Sequence, residues 1–413
     1  MLNKNNEREL AYVVTVDKVV PIPGRDKVEC AQVGGWTCMV PKGVFHAGDP
    51  GIYFEIDSQV PLDNPVFEFC AKYKGRIKTQ KFKTPEGQFW SQGLLMAATD
   101  FGWTVDFAQF AGDFAFIVDD KGVQHIPGDE SAYLTKQLGI TYYEQEDNKR
   151  KSSGDPNAKY KRMAAKYPKL FQNPLIKKIY KTDKGKKILF FFLGRGVKKK
   201  DWPYWVKKTD EERLENMKWI LESNEPWIAT EKIDGTSTTV TMKRKRFGKN
   251  EFYVCSRNVV FDKPDKQCYY DTNVYQEMAD KYHLEEVCNK LLDAYPDAEW
   301  VTIQGETFGA GVQKRTYGRL DKDFRAFNLI FSHTGRLNTI QMIEILKEYG
   351  VPCVYVIDAN YKLPKTVDEV RAFVHSQPSI EDGGMREGIV FRSQDALRSF
   401  KCVDPEYLIK YHG

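Results

Sequence analysis

A lysine stands directly after a strand-like run of residues and two positions before an Asp-Gly pair. Lys232 follows the run Trp227–Glu231, and Asp234 and Gly235 are the second and third residues after it. A lysine amine attacks a phosphorus atom only when it is neutral, and its ordinary pKa is about 10.4. Burial at a strand end, with cations or a metal nearby, would lower that pKa, and Gly235 would let the chain turn sharply beside a phosphate. The pattern predicts a nucleophilic lysine, and a surface hairpin at Asp-Gly is the alternative.

Further charged and aromatic side chains follow Lys232 at the ends of apolar runs. They are Arg257 after the next run, Glu306 and Phe308 in a glycine-rich turn, Glu387 beside an apolar strand, and Lys401 and Lys410 further on. Each one alone has an ordinary interpretation as a turn carboxylate, a surface charge or a solvated lysine. Their occurrence in this order is hard to explain by chance. Cations and carboxylates are the groups expected where phosphoryl transfer is catalysed.

The elements that would position these residues form a mixed pattern of strands and helices over residues 201–413. Apolar runs predict strands at Trp227–Thr230, Thr238–Met242, Phe252–Cys255, Trp300–Gln304, Ala326–Phe331, Cys353–Ile357 and Gly388–Phe391. Helical spacing predicts helices at Asp210–Ser223, Asn273–Ala294, Thr339–Tyr349 and Val367–Ser376. The pattern therefore predicts one α+β domain that carries all the residues named above.

The N-terminal part, residues 1–130, is predicted to form a separate β-domain. Short apolar runs are interrupted by Gly and Pro every 8 to 12 residues, which is typical of a small barrel or sandwich. The predicted strands are Tyr12–Val20, Val28–Val33, Thr37–Val40, Gly51–Ile56 and Gly93–Ala97. About five strands fit an OB-type barrel, a fold that commonly binds nucleic acid.

A basic segment, residues 131–200, separates the two predicted domains. Residues 147–200 hold 18 Lys or Arg and 3 Asp or Glu, so the net charge of +5 divides into +15 here and −10 elsewhere. Ala158–Leu170 is predicted to be an amphipathic helix with a basic face, and Ile188–Leu193 is predicted to be a strand. Such a charge block indicates a polyanionic partner, and a solvated linker is the alternative.

Composition excludes several classes of protein. The hydrophobic fraction of 41% allows packed cores, and no run of 18 apolar residues exists, so no membrane span is expected. The polar first ten residues do not resemble a secretory signal. The eight cysteines form no CxxC pair, so neither a zinc site nor a disulfide framework is predicted. We expect an intracellular monomer, in the cytosol or the nucleus.

The ordered residues resemble motifs I, Ia, III, IIIa, IV and V of the covalent nucleotidyltransferases, which include ATP-dependent ligases and mRNA capping enzymes. The string Glu231–Thr236 is most similar to motif I of RNA ligases. Residues 11–143 contain segments that resemble the OB module of RNA ligase family five, namely Pro21–Glu29, Gly35-Trp36, Tyr53–Asp57, Arg76–Thr79, Ser91–Leu94 and Leu138–Ile140. The resemblance implies an α+β multidomain protein, with an OB-type β-barrel followed by an ATP-grasp-like nucleotidyltransferase (ligase) domain of antiparallel sheets and flanking helices.

The resemblance also implies an activity and roles for residues. Lys232 would attack the α-phosphate of ATP, AMP would pass to a 5′-phosphate, and a 3′-OH would then expel AMP. The substrate would be RNA, or an RNA/DNA duplex, with a nick. The implied catalytic residues are Lys232, Lys401 and Lys410. The implied nucleotide-binding residues are Thr230, Glu231, Ile233, Arg257, Glu306 and Phe308. The implied ligands of Mg²⁺ or Mn²⁺ are Glu387, Glu306 and Asp26, with Arg25 near the leaving pyrophosphate.

Two other functions remain as alternatives. An mRNA-capping-type guanylyltransferase would use GTP and the same lysine. The resemblance implies that in that class the catalytic domain comes before the OB domain, whereas here Lys232 follows the predicted barrel. A non-catalytic OB-type nucleic-acid-binding protein would not need Lys232, Glu306 and Glu387 together. An assay with α-labelled ATP or GTP separates the three.

Overall fold

The computed structural model describes residues 1–5, 7–85, 87–108, 114–143, 158–194, 201–208, 210–261 and 272–412. Within these ranges the chain forms an N-terminal β-domain, a helical segment, and a C-terminal domain of two sheets with helices packed against them. No helix in the described ranges is both long and apolar enough to cross a membrane.

Short antiparallel strands build the N-terminal domain. One sheet has the order β1-β5-β9, another β2-β3-β4 and a third β10-β11-β12, while β7-β8 and β6-β13 form pairs. The strands are β1 Ala11–Thr15, β2 Lys18–Ile22, β3 Arg25–Val33, β4 Trp36–Pro41, β5 Pro50–Phe54, β6 Ser58–Gln59, β7 Gln80–Thr84, β8 Gly87–Ser91, β9 Leu94–Met96, β10 Thr104–Ala108, β11 Phe114–Val118, β12 Gln124–His125 and β13 Thr141–Tyr142. Short 3₁₀ helices lie at Pro65–Tyr73, Ala98–Phe101 and Glu130–Ala132. The predicted strand Tyr12–Val20 is two strands, because the chain changes pairing partners after Val16.

Strand β5 divides the interior of this domain into two packed clusters. Successive side chains of a strand point to opposite faces, so Tyr53 enters one cluster while Ile52 and Phe54 enter the other. All three side chains are fully buried. The second cluster also contains Leu138 and Ile140. The packed interior therefore continues past residue 130, where the first domain was predicted to end.

The basic segment is mainly helical between residues 158 and 194. It contains α1 Ala158–Lys166, α2 Pro168–Gln172, α3 Pro174–Tyr180 and α4 Asp183–Leu193. The predicted helix Ala158–Leu170 ends early because Pro168 starts the next helix and disfavours helical geometry at the residue before it. The predicted strand Ile188–Leu193 is wrong. Thr182 caps α4 by accepting from Gly185 N at 3.0 Å, and an apolar run continues a capped helix as readily as it forms a strand.

The predicted helix Asp210–Ser223 is also wrong. The described chain forms a short strand, β14 Glu212–Arg213, followed by 3₁₀ turns at Leu214–Asn216 and Lys218–Glu222. Strand β14 runs parallel to a strand near the end of the chain, β24 Ser399–Val403, with Arg213 opposite Lys401. Tertiary pairing overrides the local helical pattern here, because Leu214, Ile220 and Leu221 all face one buried cluster.

Two sheets form the framework of the C-terminal domain. The five-stranded sheet has the order β14-β24-β23-β15-β22, and the six-stranded sheet has the order β18-β17-β16-β19-β20-β21. All neighbours are antiparallel except β14 and β24. The further strands are β15 Pro226–Lys232, β16 Thr236–Lys243, β17 Glu251–Cys255, β18 Val260–Phe261, β19 Trp300–Gly309, β20 Lys322–Phe331, β21 Gly335–Arg336, β22 Val356–Lys362, β23 Gly388–Ser393 and β24 Ser399–Val403. Each predicted strand of this domain corresponds to one of them, although β22 begins three residues later than predicted.

Helices pack against these sheets. They are α5 Val274–Lys281, α6 Leu284–Ala294, α7 Thr339–Glu348, α8 Val367–Ser376 and α9 Pro405–His412. The single helix predicted at Asn273–Ala294 is two helices, because His283 has a left-handed backbone with φ of 50° that interrupts the helical path. The helices at residues 339–348 and 367–376 were predicted within one residue.

We expect Trp227→Ala to destabilise the C-terminal domain by about 3–5 kcal/mol, the usual cost of emptying a buried tryptophan site. Trp227 is fully buried on β15, and its ring centroid lies 5.0 Å from that of Phe400. Denaturant unfolding followed by circular dichroism measures the change. Trp219 is 58% exposed, so Trp219→Ala is the matched control and should change stability by less than about 0.5 kcal/mol. Equal losses in the two variants would contradict the packing described here.

Candidate active site

Lys232 lies where the two sheets of the C-terminal domain meet. It is the last residue of β15 in the five-stranded sheet, and β16 of the six-stranded sheet begins four residues later. Between them, Gly235 packs so closely that a Cβ atom there would lie 2.2 Å from the carbonyl oxygen of Thr307. Only glycine fits this approach. The small residue predicted to be necessary for a sharp turn is thus needed for the close approach of this turn to β19.

Two carboxylates face the amine of Lys232. Its Nζ donates to Glu387, and both carboxylate oxygens lie 2.8 Å away. Burial opposes the ammonium form, but the charges of Glu387 and Glu306 outweigh it, so the pKa of Lys232 is raised. The lowered pKa expected from the sequence is therefore wrong for the protein alone. Burial, together with the charge of Glu387, raises the pKa of Glu306 to about 8.

Asp234 connects the nucleophile's turn with the last helix. Its Oδ2 accepts from the hydroxyl of Tyr407 at 2.9 Å and lies 3.1 Å from Nε2 of His412. Its backbone N–H donates to the hydroxyl of Tyr317 at 2.7 Å. Tyr407 and His412 belong to α9, more than 170 residues further along the chain. No local pattern in the sequence indicated either contact.

Asp234, Glu387 and His412 could hold a metal ion. One ligand atom of each lies within 4.8 Å of the others. Two carboxylates and an imidazole suit Mn²⁺, and the carboxylates also suit Mg²⁺, so this donor set fits the predicted metals. Of the predicted ligands, the structure places Glu387 in the group. It places Asp26 on the exposed surface of β3, outside the group, although that residue was predicted to be a ligand.

Positive side chains form a second part of the site. Lys401 on β24 lies 2.8 Å from Asp210, and Arg257 lies 2.6 Å from the same carboxylate. Burial lowers the pKa of Lys401 to about 8, assisted by the charges of Arg8 and Arg213. The structure therefore brings Lys401 and Arg257 to one carboxylate, and their predicted roles stay predictions. Asp210 was missed, because its region was predicted to be a helix.

Lys410 does not join these cations. It is exposed on α9, where its Nζ lies 5.1 Å from the ring centroid of Tyr411. On this helix the side chains that reach the site are Tyr407 and His412. Of the two lysines predicted to contact a phosphate, the structure favours Lys401.

Two of the predicted nucleotide-binding residues, Ile233 and Phe308, are buried beside the lysine. Ile233, Phe308 and Tyr317 form a small cluster, and Phe308 has no exposed surface. The guanidinium groups of Arg319 and Arg325 each lie 5.3 Å from the ring centroid of Phe308. A base could stack on Phe308 only if these neighbours moved aside.

The chain before Lys232 already has hydrogen-bond partners. The N–H of Glu231 donates to the carbonyl of Tyr355 at 2.9 Å, and its carboxylate accepts from Ile380 N at 2.8 Å. The hydroxyl of Thr230 donates to the carbonyl of Val390 at 3.2 Å. Thr230 and Glu231 are both buried. Their predicted role in binding the nucleotide stays a prediction.

Comparisons with known proteins agree with this architecture. The family model for RNA ligase matches residues 225–412, and a model for an OB-fold domain matches residues 10–97. The structure of a Naegleria gruberi RNA ligase with PPi is 25% identical with a TM-score of 0.69, covering 98% of this chain and 99% of that one. A variant of that ligase with ATP and Mn is also 25% identical, with a TM-score of 0.70 and coverage of 98% and 100%. No curated protein sequence matches the chain.

The fold and the site thus define an enzyme of the RNA ligase class, with an N-terminal OB-fold domain. The α+β fold predicted from the sequence, an OB-type barrel before a ligase domain of antiparallel sheets, is confirmed.

Proposed function

We propose that this protein is an ATP-dependent RNA ligase that joins a 3′-OH end to a 5′-phosphate end through AMP carried on Lys232. The observation that supports this most directly is the convergence of Lys232, Glu387, Glu306 and Lys401 at the junction of the two sheets. The similar ligase with ATP and Mn, and the same ligase with PPi, support ATP as the nucleotide and pyrophosphate as a product.

In the first step the neutral amine of Lys232 attacks the α-phosphorus of ATP. A P–N bond forms, the bond to the bridging oxygen breaks, and pyrophosphate leaves. The amine must first lose a proton, and Glu387, at 2.8 Å, holds it as an ammonium in the protein alone. Asp234, Glu387 and His412 would hold the divalent cation, whose charge would offset these carboxylates and favour the neutral amine.

In the second and third steps we expect the positively charged side chains of the site to contribute most to catalysis. AMP passes from Lys232 to the 5′-phosphate of one strand, and the 3′-OH of the other then attacks that phosphate and expels AMP. Negative charge develops on phosphate oxygens in both steps, so positioned cations stabilise the transition states. Lys401 and Arg257 are the residues for this role, because both lie beside the nucleophile's sheet junction and are fixed by one carboxylate.

We further propose that the joined ends lie at a nick in an RNA or RNA/DNA duplex. The test is incubation with α-labelled ATP or GTP and Mg²⁺ or Mn²⁺, followed by denaturing electrophoresis and then by addition of nicked duplexes. Label from ATP that stays on the protein and passes to a 5′-phosphate supports the proposal. Label from GTP would assign the protein to the capping class, and no label from either would favour a non-catalytic binding protein.

The basic helical segment is proposed to bind the nucleic-acid backbone. Its lysines Lys177, Lys178 and Lys187 are exposed, and its last helix exposes Phe191 and Phe192 by 81% and 73%. Lysines track phosphates, and exposed aromatic rings offer stacking surfaces to unpaired bases. The neighbours of Lys232 that determine its hydrogen bonding and pKa include none of these residues, so this surface can contribute to strand binding without taking part in adenylylation.

Strand binding is therefore expected to depend steeply on salt, while self-adenylylation depends on it weakly. Each neutralised phosphate contact contributes a slope of roughly 0.7–0.9 in log K against log salt. Replacing Lys177, Lys178 and Lys187 by Gln should reduce the binding slope by about 2–3 and leave self-adenylylation unchanged. Titration of both activities against KCl measures this. Equal slopes for the two activities, or an unchanged slope in the triple variant, would contradict the assignment.

A further inference from the structure

Asp210 is a buried carboxylate that contacts three cations. Only 8% of its side chain is exposed, and it lies 2.8 Å from Lys401, 2.6 Å from Arg257 and 3.0 Å from Arg8. These cations come from three separate parts of the chain: β24, the turn after β17, and the N-terminal domain before β1. Two of them are the proposed phosphate-binding groups, so Asp210 determines their positions relative to each other.

The third cation ties Asp210 to the N-terminal domain. Arg8 also donates to Glu55 at 2.9 Å, and Glu55 is 1% exposed. The N-terminal amine of Met1 and the side-chain amide of Asn216 also contact Glu55. A continuous series of charged contacts therefore connects the interior of the OB-fold domain, through Arg8 and Asp210, with Lys401.

The charge balance at Lys401 depends on Asp210. The charged groups with the largest effects on its amine are Asp210, Arg8, Arg213 and Lys232, and among these four Asp210 is the carboxylate. Burial and the neighbouring cations disfavour the ammonium form, and the pKa of Lys401 is lowered to about 8 although Asp210 acts in the opposite direction. Without that carboxylate, Lys401 would be largely neutral at physiological pH and could not stabilise a phosphate oxygen.

We propose that Asp210 is a positioning residue of the ligase site: it keeps Lys401 charged and holds it beside Arg257, and Arg8 anchors it to the OB-fold domain. This inference rests on the proposed function for the role of Lys401, but its central claim concerns only the protein. A merely structural ion pair between the domains would not make the rate of self-adenylylation follow the charge at position 210. The two roles can therefore be distinguished by titrating that amine and by comparing labelling in variants that keep or lose the charge.

The experiment titrates the Lys401 amine in the full chain by its reactivity towards acetic anhydride between pH 6 and 11, read by peptide mass spectrometry. In the wild type the reactivity should rise around pH 8. In Asp210→Asn the midpoint should fall by at least about one pH unit, because an opposite charge at this distance shifts a pKa by roughly one to three units.

A matched control separates this effect from general damage to the domain contact. Glu215→Gln breaks another buried ion pair, in which Glu215 lies 2.8 Å from Arg371 and Arg371 also donates to the carbonyl of Gly35. It should leave the titration of Lys401 at its wild-type midpoint. An unchanged midpoint in Asp210→Asn would overturn the proposal. If Asp210→Asn does not fold, the wild-type titration still decides, because a midpoint near the ordinary lysine value of about 10.4 would mean that Lys401 needs no carboxylate to stay charged.

Self-adenylylation gives a second readout. At pH 7.5 Asp210→Asn should lose at least about tenfold in rate, while Asp210→Glu, which keeps the charge, should regain most of it. Failure of the wild type to take label from ATP would reject the proposed function and leave the amine titration intact. Equal losses in Asp210→Asn and Asp210→Glu would overturn the proposal that the charge of Asp210 is what matters.

Discussion

Lys232→Ala is expected to abolish transfer of label from ATP to the protein, by a factor of at least about a thousand. No P–N bond can form without the amine, and we do not expect a neighbouring cation to replace it as the nucleophile. Arg257 cannot be deprotonated, and the amine of Lys401 is ion-paired with Asp210. The measurement is the single-turnover rate of labelling with α-labelled ATP. Residual labelling at a comparable rate would mean that another residue carries the nucleotide.

Lys232→Arg is the matched variant for this prediction. It keeps a positive charge beside Glu387 and so keeps the ion pair that is present at 2.8 Å in the wild type. A guanidinium does not lose its proton near neutral pH, so this variant should be as inactive in labelling as Lys232→Ala. Both variants should still join a strand that already carries 5′-AMP, because that step needs no free amine. Labelling of Lys232→Arg at the wild-type rate would contradict the nucleophilic role.

Glu387→Gln is expected to have the second largest effect. The substitution has two opposed effects. Loss of the carboxylate charge lowers the pKa of Lys232, which favours the neutral amine and faster attack. The same loss removes one of the three groups able to hold the cation, which disfavours the reaction. We expect the second to dominate, because even residues that only support metal ligands contribute roughly 10–100-fold to metal affinity. Self-adenylylation should therefore need at least about tenfold more Mn²⁺ for half-maximal rate.

The rate of labelling against Mn²⁺ concentration, with and without the substitution, measures this effect. Glu406→Gln is a suitable control, since Glu406 lies on α9 but pairs with Lys81 of the N-terminal domain at 2.8 Å. It should leave the Mn²⁺ dependence unchanged. If Glu387→Gln needed no more Mn²⁺ than the wild type, Glu387 would not be a metal-binding residue and its contact with Lys232 would be its main role.

Much of the framework around the site was predictable from local patterns. The strands that carry Lys232 and Glu306, and the strand that begins directly after Glu387, contain alternating or continuous apolar residues, and this pattern persists whatever the strands pair with. The prediction failed where pairing with a distant strand outweighed the local pattern. The segment after Asp210 has a helical spacing of acidic and apolar residues, yet its backbone pairs with β24, because pairing and burial together stabilise it more than helix propensity does.

The sequence by itself determined the class of the protein, the order of its domains and the chemistry of its charged residues, since residue types at strand ends do not depend on distant contacts. Only the tertiary structure decided which of those residues meet. It excluded Lys410 and Asp26 from the group around Lys232, and it added His412 and Asp210. The physical reason is that these contacts join residues about 150 to 200 positions apart, and the meeting of two sheets and a final helix, not any local pattern, sets their distances.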